Sequence, residues 1–322
     1  MRRAVVLTLA LLLAAGAGIL GGRAEDFPSR PIRLIVGFPP GSAADITARV
    51  VGDAMTRTLG QQVVVETRPG AGSSIAADFV AHAPADGYTL FIGTSSSVTD
   101  AVTNHNLRFD FVKDFAPIAP LTGLPLILAV PPGLGVSSFA GLIALARSKP
   151  GELTYASVGV GTVPQLACEL IAVRTKTRLV HVPYPGSPQA VTDLMAGRVS
   201  MMLGVASTIM PQVNAGKLVG LASASAQRPR IAPDLPTIAE AGLPGFEASV
   251  WFGLMAPAGT PRPVIDRLAA AANAALKSDE AAARLRASGF EPLGGEPDTF
   301  ANFIAGEMVK WREAAEAAGV KN

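Results

Sequence analysis

The feature that most narrows what this chain can fold into is a repeated alternation of short β-branched strands and helical stretches. Each strand runs out into a turn of glycine, serine or proline. Residues 32–36 read as a strand ending on Gly37-Phe38-Pro39-Pro40-Gly41-Ser42, and residues 43–59 then carry helical spacing up to Gly60. Residues 63–65 form a second strand, closed by Arg68-Pro69-Gly70-Ala71-Gly72. A helix over about 74–83 and a strand at 89–92 follow. The rhythm resumes with strands at 126–130, 153–157, 179–182, 199–202 and 217–222. Helices over 138–147, through Cys168 and over 187–195 lie between them. A strand at 250–255 and three Ala-rich helices, the last over 299–318, complete the pattern. Strands alternating with helices predict an α/β fold with parallel sheet covered on both faces.

The strands near 119–130 and 250–257 read as the two passages between domains. The first domain is then discontinuous, residues 25–124 with 246–322, and the second is residues 125–245. Two α/β domains joined by two crossover strands enclose a cleft that closes like a hinge.

The start of the chain is read separately. Arg2 and Arg3 precede a charge-free apolar run over 4–20, and Gly22 and Ala24 supply small residues at positions −3 and −1. That is the pattern of a secretory signal peptide over residues 1–24, cleaved after Ala24, and it predicts a periplasmic protein. No cysteine follows the cleavage position to carry a lipid. Cys168 is the sole cysteine, so no internal disulfide forms; in its apolar helical stretch it reads as core filler rather than nucleophile. The chain has 27 basic and 25 acidic residues. Loss of Arg2, Arg3 and Arg23 leaves 24 basic against 25 acidic, a net charge of −1. That balance recommends neither nucleic acid nor an anionic membrane as partner.

Enzyme motifs are sparse. There is no G-x-S-x-G, S-x-x-K or P-loop, and His82, His105 and His181 form no H-x-x-x-H pair. No catalytic residue, metal site or cofactor is predicted. His181, in an apolar strand, reads as a satisfied core or rim histidine, and Pro164 interrupts the dinucleotide-like Gly159-Val160-Gly161. What remains is four small-residue loops at strand ends: Pro39-Pro40-Gly41-Ser42, Gly70-Ala71-Gly72-Ser73, Thr94-Ser95-Ser96-Ser97 and Gly159-Val160-Gly161-Thr162. In open α/β sheets ligands bind beyond the carboxyl ends of strands, where helix N-termini offer free N–H groups to an anion. Asp45, in a helix first turn, reads as an architectural cap beside this site.

At these loops the chain resembles the Bug receptors, the extracytoplasmic solute-binding proteins of tripartite tricarboxylate transporters. The likeness begins at Pro28-Ser29-Arg30-Pro31-Ile32-Arg33 and Phe38-Pro39-Pro40-Gly41-Ser42-Ala43-Ala44-Asp45. It continues through Arg68-Pro69-Gly70-Ala71-Gly72, Asp86-Gly87-Tyr88-Thr89-Leu90 and Lys113-Asp114-Phe115-Ala116-Pro117-Ile118. His181-Val182-Pro183-Tyr184, Leu235-Pro236-Thr237-Ile238-Ala239-Glu240-Ala241-Gly242, Trp251-Phe252-Gly253-Leu254 and Ala256-Pro257-Ala258-Gly259-Thr260-Pro261 follow in order. The resemblance implies a two-domain periplasmic-binding-protein fold, a type II-like Venus flytrap. It implies a monomer that binds a small carboxylate (amino acid, aromatic acid, or di- or tricarboxylate) and hands it to membrane transporter subunits.

Carried over by position, the resemblance points to Phe38, Pro40, Gly41, Ser42, Gly72, Ser73, Thr94 and Ser95 on the first domain. On the second it points to Gly161, Thr162, Pro183, Tyr184, Gly186 and the segment 205–207 with Ser207. The chain departs from the family pattern at Ser42 and Ser73, where glycine is usual, at Thr67 for asparagine, at Gln165 for histidine and at Pro185 for lysine. These changes leave the ligand's identity open. The rival from another class is a periplasmic hydrolase using Ser42 or Ser95, which needs a base within reach. A sensory binding subunit would share the fold.

Overall fold

A computed structural model describes residues 27–104 and 106–319. The signal-peptide reading and His105 lie outside the described residues. The first unit comprises β1 (Ile32–Val36), α1 (Ala43–Leu59), β2 (Val63–Thr67), α2 (Ser74–Ala81), β3 (Thr89–Thr94) and α3 (Ser95–Thr103). The long strand β4 (Phe115–Val130) then leads into α4 (Phe139–Ser148), β5 (Thr154–Ser157), α5 (Val163–Thr175) and β6 (Val180–Pro183). After these come α6 (Ser187–Met195), β7 (Met201–Val205), α7 (Ala206–Asn214) and β8 (Val219–Ser223). The chain returns through β9 (Ser249–Pro257), α8 (Arg262–Lys277), α9 (Asp279–Ala287), β10 (Glu291–Pro292) and α10 (Pro297–Ala318). The helices α3 and α7, absent from the sequence reading, begin within polar small-residue segments whose periodicity is too short to register.

β1 lies between β2 and β3, parallel to both, with Ile32 opposite Val63 and Arg33 opposite Thr89. β9 runs antiparallel between β3 and β4. β4 is the strand that joins the two sheets. Its residues from Phe115 to Pro125 pair with β9, whereas Leu126 to Ala129 pair with β7 and Ile127 to Val130 with β8. β5 lies parallel to β6 and β7. The second passage runs beside the first: Ala224 N–H donates to the Leu126 carbonyl and Ala248 N–H to the Ala224 carbonyl. Register shifts fall at Pro117 and Pro120 in β4, where proline cannot donate to a ladder.

The core has three parts. Beneath α1 and α8 lies one apolar cluster containing Leu34, Met55, Leu90 and Leu268. A second, beneath α6 and α7, contains Ile127, Leu194, Met202 and Ile209. The third spans both sheets, joining Phe91 and Phe115 to Leu166 and Ile171 through Phe300, Ile304 and Trp311 of α10. The C-terminal helix packs on both α3 and α5 and so ties the two units together on one side. Cys168 is fully buried in this cluster, where burial pushes its thiol well above the ordinary range, as suits packing rather than reactivity.

Candidate functional site

The four small-residue loops are shaped by local hydrogen bonds. Ser42 is the N-cap of α1, its Oγ accepting from Asp45 N–H at 3.3 Å. Asp45 Oδ2 accepts from Gly41 N–H at 2.8 Å and from Arg49 Nε at 3.0 Å. Burial pushes the Asp45 carboxyl upward, but Arg49 and the Gly41 amide outweigh it and hold its pKa below the ordinary value. Asp45 therefore fixes the turn that positions Ser42. At the third loop Thr94 caps α3, with Oγ1 accepting from Ser97 N–H at 3.1 Å and Ser97 Oγ accepting from Thr94 N–H at 3.3 Å. This is a reciprocal capping box with serine in the return position.

The second loop is tighter. Ala71, Gly72 and Ser73 all have positive φ, 45°, 63° and 88°. They press Ser73 against Gly37, where a Cβ would lie 1.8 Å from Ser73 Oγ and 2.6 Å from its Cα. Only glycine at 37 allows this approach. Ser73 Oγ and Ser95 Oγ are buried without a hydrogen-bond partner among the described residues. The fourth loop is closed by Thr162 Oγ1 donating to the Gly159 carbonyl at 2.7 Å and by Gly161 N–H donating to Gln165 Oε1 at 2.6 Å.

Between the sheets the first, third and fourth of these loops bound a cavity of about 220 Å³. From the first unit come Phe38, Ser42, Ala43, Ala44, Thr94 and Ser96. From the second come Val158, Thr162, Val163, Pro164, Ser187 and the β7 residues Met202 to Val205; Val250 and Phe252 of β9 form the floor at the passage. The lining contains no charged side chain. Helices α1, α3, α5 and α6 all present residues of their first turns here. Of the residues expected from the sequence, Phe38, Ser42, Thr94 and Thr162 line this cavity. Pro40, Gly41, Ser95 and Gly161 belong to the three bounding loops without lining it, and Gly72 and Ser73 lie in the second loop, which contributes no lining residue.

Others lie elsewhere. Tyr184 borders a separate surface depression with Pro185, Pro188 and Gln189, and its hydroxyl donates to Asp193 Oδ2 at 2.9 Å. Pro183 ends β6 and Gly186 caps α6. Ser207 packs against Gly289 at the end of α9, where a Cβ on that glycine would lie 2.5 Å from Ser207 Cβ. The apolar walls from Val158, Met202, Val250 and Phe252 were not singled out from the sequence. Met202, Val250 and Phe252 lie within strands and Val158 directly follows one, and periodicity does not separate such positions from ordinary core.

His181 Nε2 lies 2.6 Å from Ser157 Oγ, and its ring stacks on Tyr155 with centroids 4.9 Å apart. Burial lowers the His181 pKa. Ser157 is fully buried and holds Gly159 through both its N–H and carbonyl, so this pair shapes the fourth loop. A larger cavity of about 760 Å³ lies between β10 and the segment after β8, lined by Arg228, Arg230, Glu247, Arg286 and Glu291 among others. None of the four loops reaches it. The smaller cavity lies at strand carboxyl ends beside the first turns of four helices.

Two α/β units joined by two strand passages around such a cavity define a two-domain binding protein of the periplasmic type. The chain belongs to the tripartite tricarboxylate transporter family receptors, whose sequence profile matches residues 47–320. It is 36% identical to the protein BugT of Bordetella pertussis over 313 residues, covering 96% of each chain. A Rhodopseudomonas palustris protein solved with adipate is 36% identical, with a TM-score of 0.75 over 92% of this chain and 99% of that one. MatC from Rhodopseudomonas palustris, solved with bound malate, is 32% identical, with a TM-score of 0.72 over 89% and 99%.

Proposed function

We propose that this chain captures a small carboxylate in the cavity between its two sheets and delivers it to a tripartite tricarboxylate-type membrane transporter. The observation that carries this reading is the uncharged cavity itself, flanked by the first turns of four helices contributed from both units. Helix N-termini hold an anion with backbone N–H groups and a partial positive charge, and need no arginine to do so. Relatives solved with adipate and malate support the choice of a carboxylate. The domains are residues 25–124 with 246–322 and residues 125–245, a division supported by the change of partners along β4 at Pro125 and Leu126. Export to the periplasm with cleavage after Ala24, and a monomeric state, complete the proposal.

Among the expected contacts, Phe38, Ser42, Thr94 and Thr162 face the ligand directly, and the loops carrying Gly41, Gly72, Ser73, Ser95 and Gly161 hold the surrounding amides. Asp45 positions Ser42. The hydrolase reading is disfavoured because Ser42 Oγ is engaged by Asp45 N–H and no described histidine touches Ser42 or Ser95. The test is thermal unfolding of ligand-stripped protein against amino acids, aromatic acids, and di- and tricarboxylates. A ligand at one hundred times its Kd stabilises the fold by about 2.7 kcal/mol, which raises Tm by about 5 °C. Recovery of that compound unchanged establishes capture without catalysis. Absence of any shift across the panel defeats the proposal.

A further inference from the structure

The cavity's chemistry is one-sided, and from that asymmetry we infer that the ligand is a monocarboxylate with an apolar body about the size of one aromatic ring. This inference rests on the carboxylate-receptor reading and narrows it. The first domain supplies the donors. Ala43 and Ala44 line the cavity in the first turn of α1, where backbone N–H groups have no partner within the helix. Ser96 adds a first-turn amide of α3 and a hydroxyl at the cavity wall. A carboxylate belongs at this wall.

The second domain faces it mainly with hydrocarbon from Val158, Val163, Met202, Leu203 and Val205, Thr162 and Ser187 being its two hydroxyl-bearing lining residues. Its helix starts offer fewer donors than those of the first domain, because Pro164 and Pro188 each remove one amide from the first turn of α5 and α6. The Thr162 hydroxyl is already committed to the Gly159 carbonyl. Phe38 and Phe252 close the remaining sides with ring surface.

Each alternative ligand class meets a specific obstacle. A second carboxylate would meet a wall that offers no cation to pair with it. An amino acid would bring an ammonium group to a lining with no Asp or Glu. The volume of about 220 Å³ holds roughly seven waters at about 30 Å³ each. That space accepts a single ring with a short carboxylate arm.

The experiment is isothermal titration of the unfolded-and-refolded, ligand-stripped protein with benzoate, adipate, malate and glutamate. The expected result is benzoate binding at least tenfold tighter than any of the other three. Adipate, malate or glutamate binding as tightly as benzoate, or tighter, overturns the inference while leaving the carboxylate receptor intact. No binding by any of the four, together with no shift across the broader unfolding panel, removes both. A second measurement uses Pro164→Ala, which restores a first-turn amide at the apolar wall without disturbing helix geometry. Because Pro164 lines the cavity, the readout is the ratio of adipate to benzoate affinity, which should rise about threefold to tenfold; an unchanged ratio overturns the argument from the missing amides.

Discussion

Ser95 and Gly37 show how much of the site is decided by single atoms. Ser95 Oγ is buried without a partner among the described residues, at the first position of α3. A buried unsatisfied hydroxyl costs about 1–3 kcal/mol. Ser95→Ala should therefore leave Tm unchanged or raise it in thermal unfolding, with carboxylate affinity little altered in titration because Ser95 does not line the cavity. Gly37 has the contrary profile. An added Cβ meets the backbone of Ser73, so Gly37→Ala must push two loops apart and should cost about 1–3 kcal/mol in denaturant unfolding. The sequence marked both positions as turn residues. It held no sign that Ser73 of a distant loop occupies the space beside Gly37, because that contact exists only once β1 and β2 pair.

At the scale of elements, α10 carries a buried acid at the junction of the domains. Glu307 Oε2 accepts from Trp251 Nε1 at 3.1 Å and Trp311 Nε1 at 2.9 Å, and its carboxylate also pairs with Lys310. Lys310 in turn donates to the Glu247 carbonyl at 3.2 Å, just ahead of β9. Glu307 thus fastens the C-terminal helix to the second strand passage. Glu307→Ala leaves two indole N–H groups without their acceptor and removes the carboxylate partner of Lys310, and should destabilise by about 3–5 kcal/mol. Glu307→Gln keeps one oxygen acceptor and should cost less than half of that. Urea unfolding of the two variants checks the order. The sequence showed α10 as an Ala-rich helix; its pairing with Trp251, 56 residues earlier, was invisible to local periodicity.

For the whole molecule, two quantities report on the hinge and the core. Ligand contacts with both walls favour the closed arrangement, so a saturating carboxylate should reduce the radius of gyration measured by small-angle scattering. An unchanged radius under saturation would mean that binding and closure are uncoupled. Stability should also depend on pH through His181. Burial lowers its pKa in the folded state, so the unfolded chain binds the proton more readily. Its contribution is fully present above the ordinary value of 6.5 and is lost as pH falls from there through the folded value. Unfolding free energy should decline below about pH 6.5, and His181→Gln should flatten that decline. Asp45 and Glu66, both held below ordinary carboxyl values, add a separate loss at more acidic pH.

The α/β class, the order of strands and the loops at their carboxyl ends were determined by the sequence alone. They rest on local rules: side-chain period, helix capping, and glycine or proline at turns. Ser42 and Thr94 could be found because capping residues must stand at helix starts. The tertiary structure decided which of these loops meet. It brought Phe38, Ser42, Thr94 and Thr162 to one cavity and turned Tyr184 toward Asp193 instead. It also supplied the apolar walls from Met202, Val250 and Phe252, residues that read as ordinary strand in isolation. The physical reason is that a cavity forms where packing between domains is incomplete, and incompleteness of packing is a property of the assembled chain rather than of any segment.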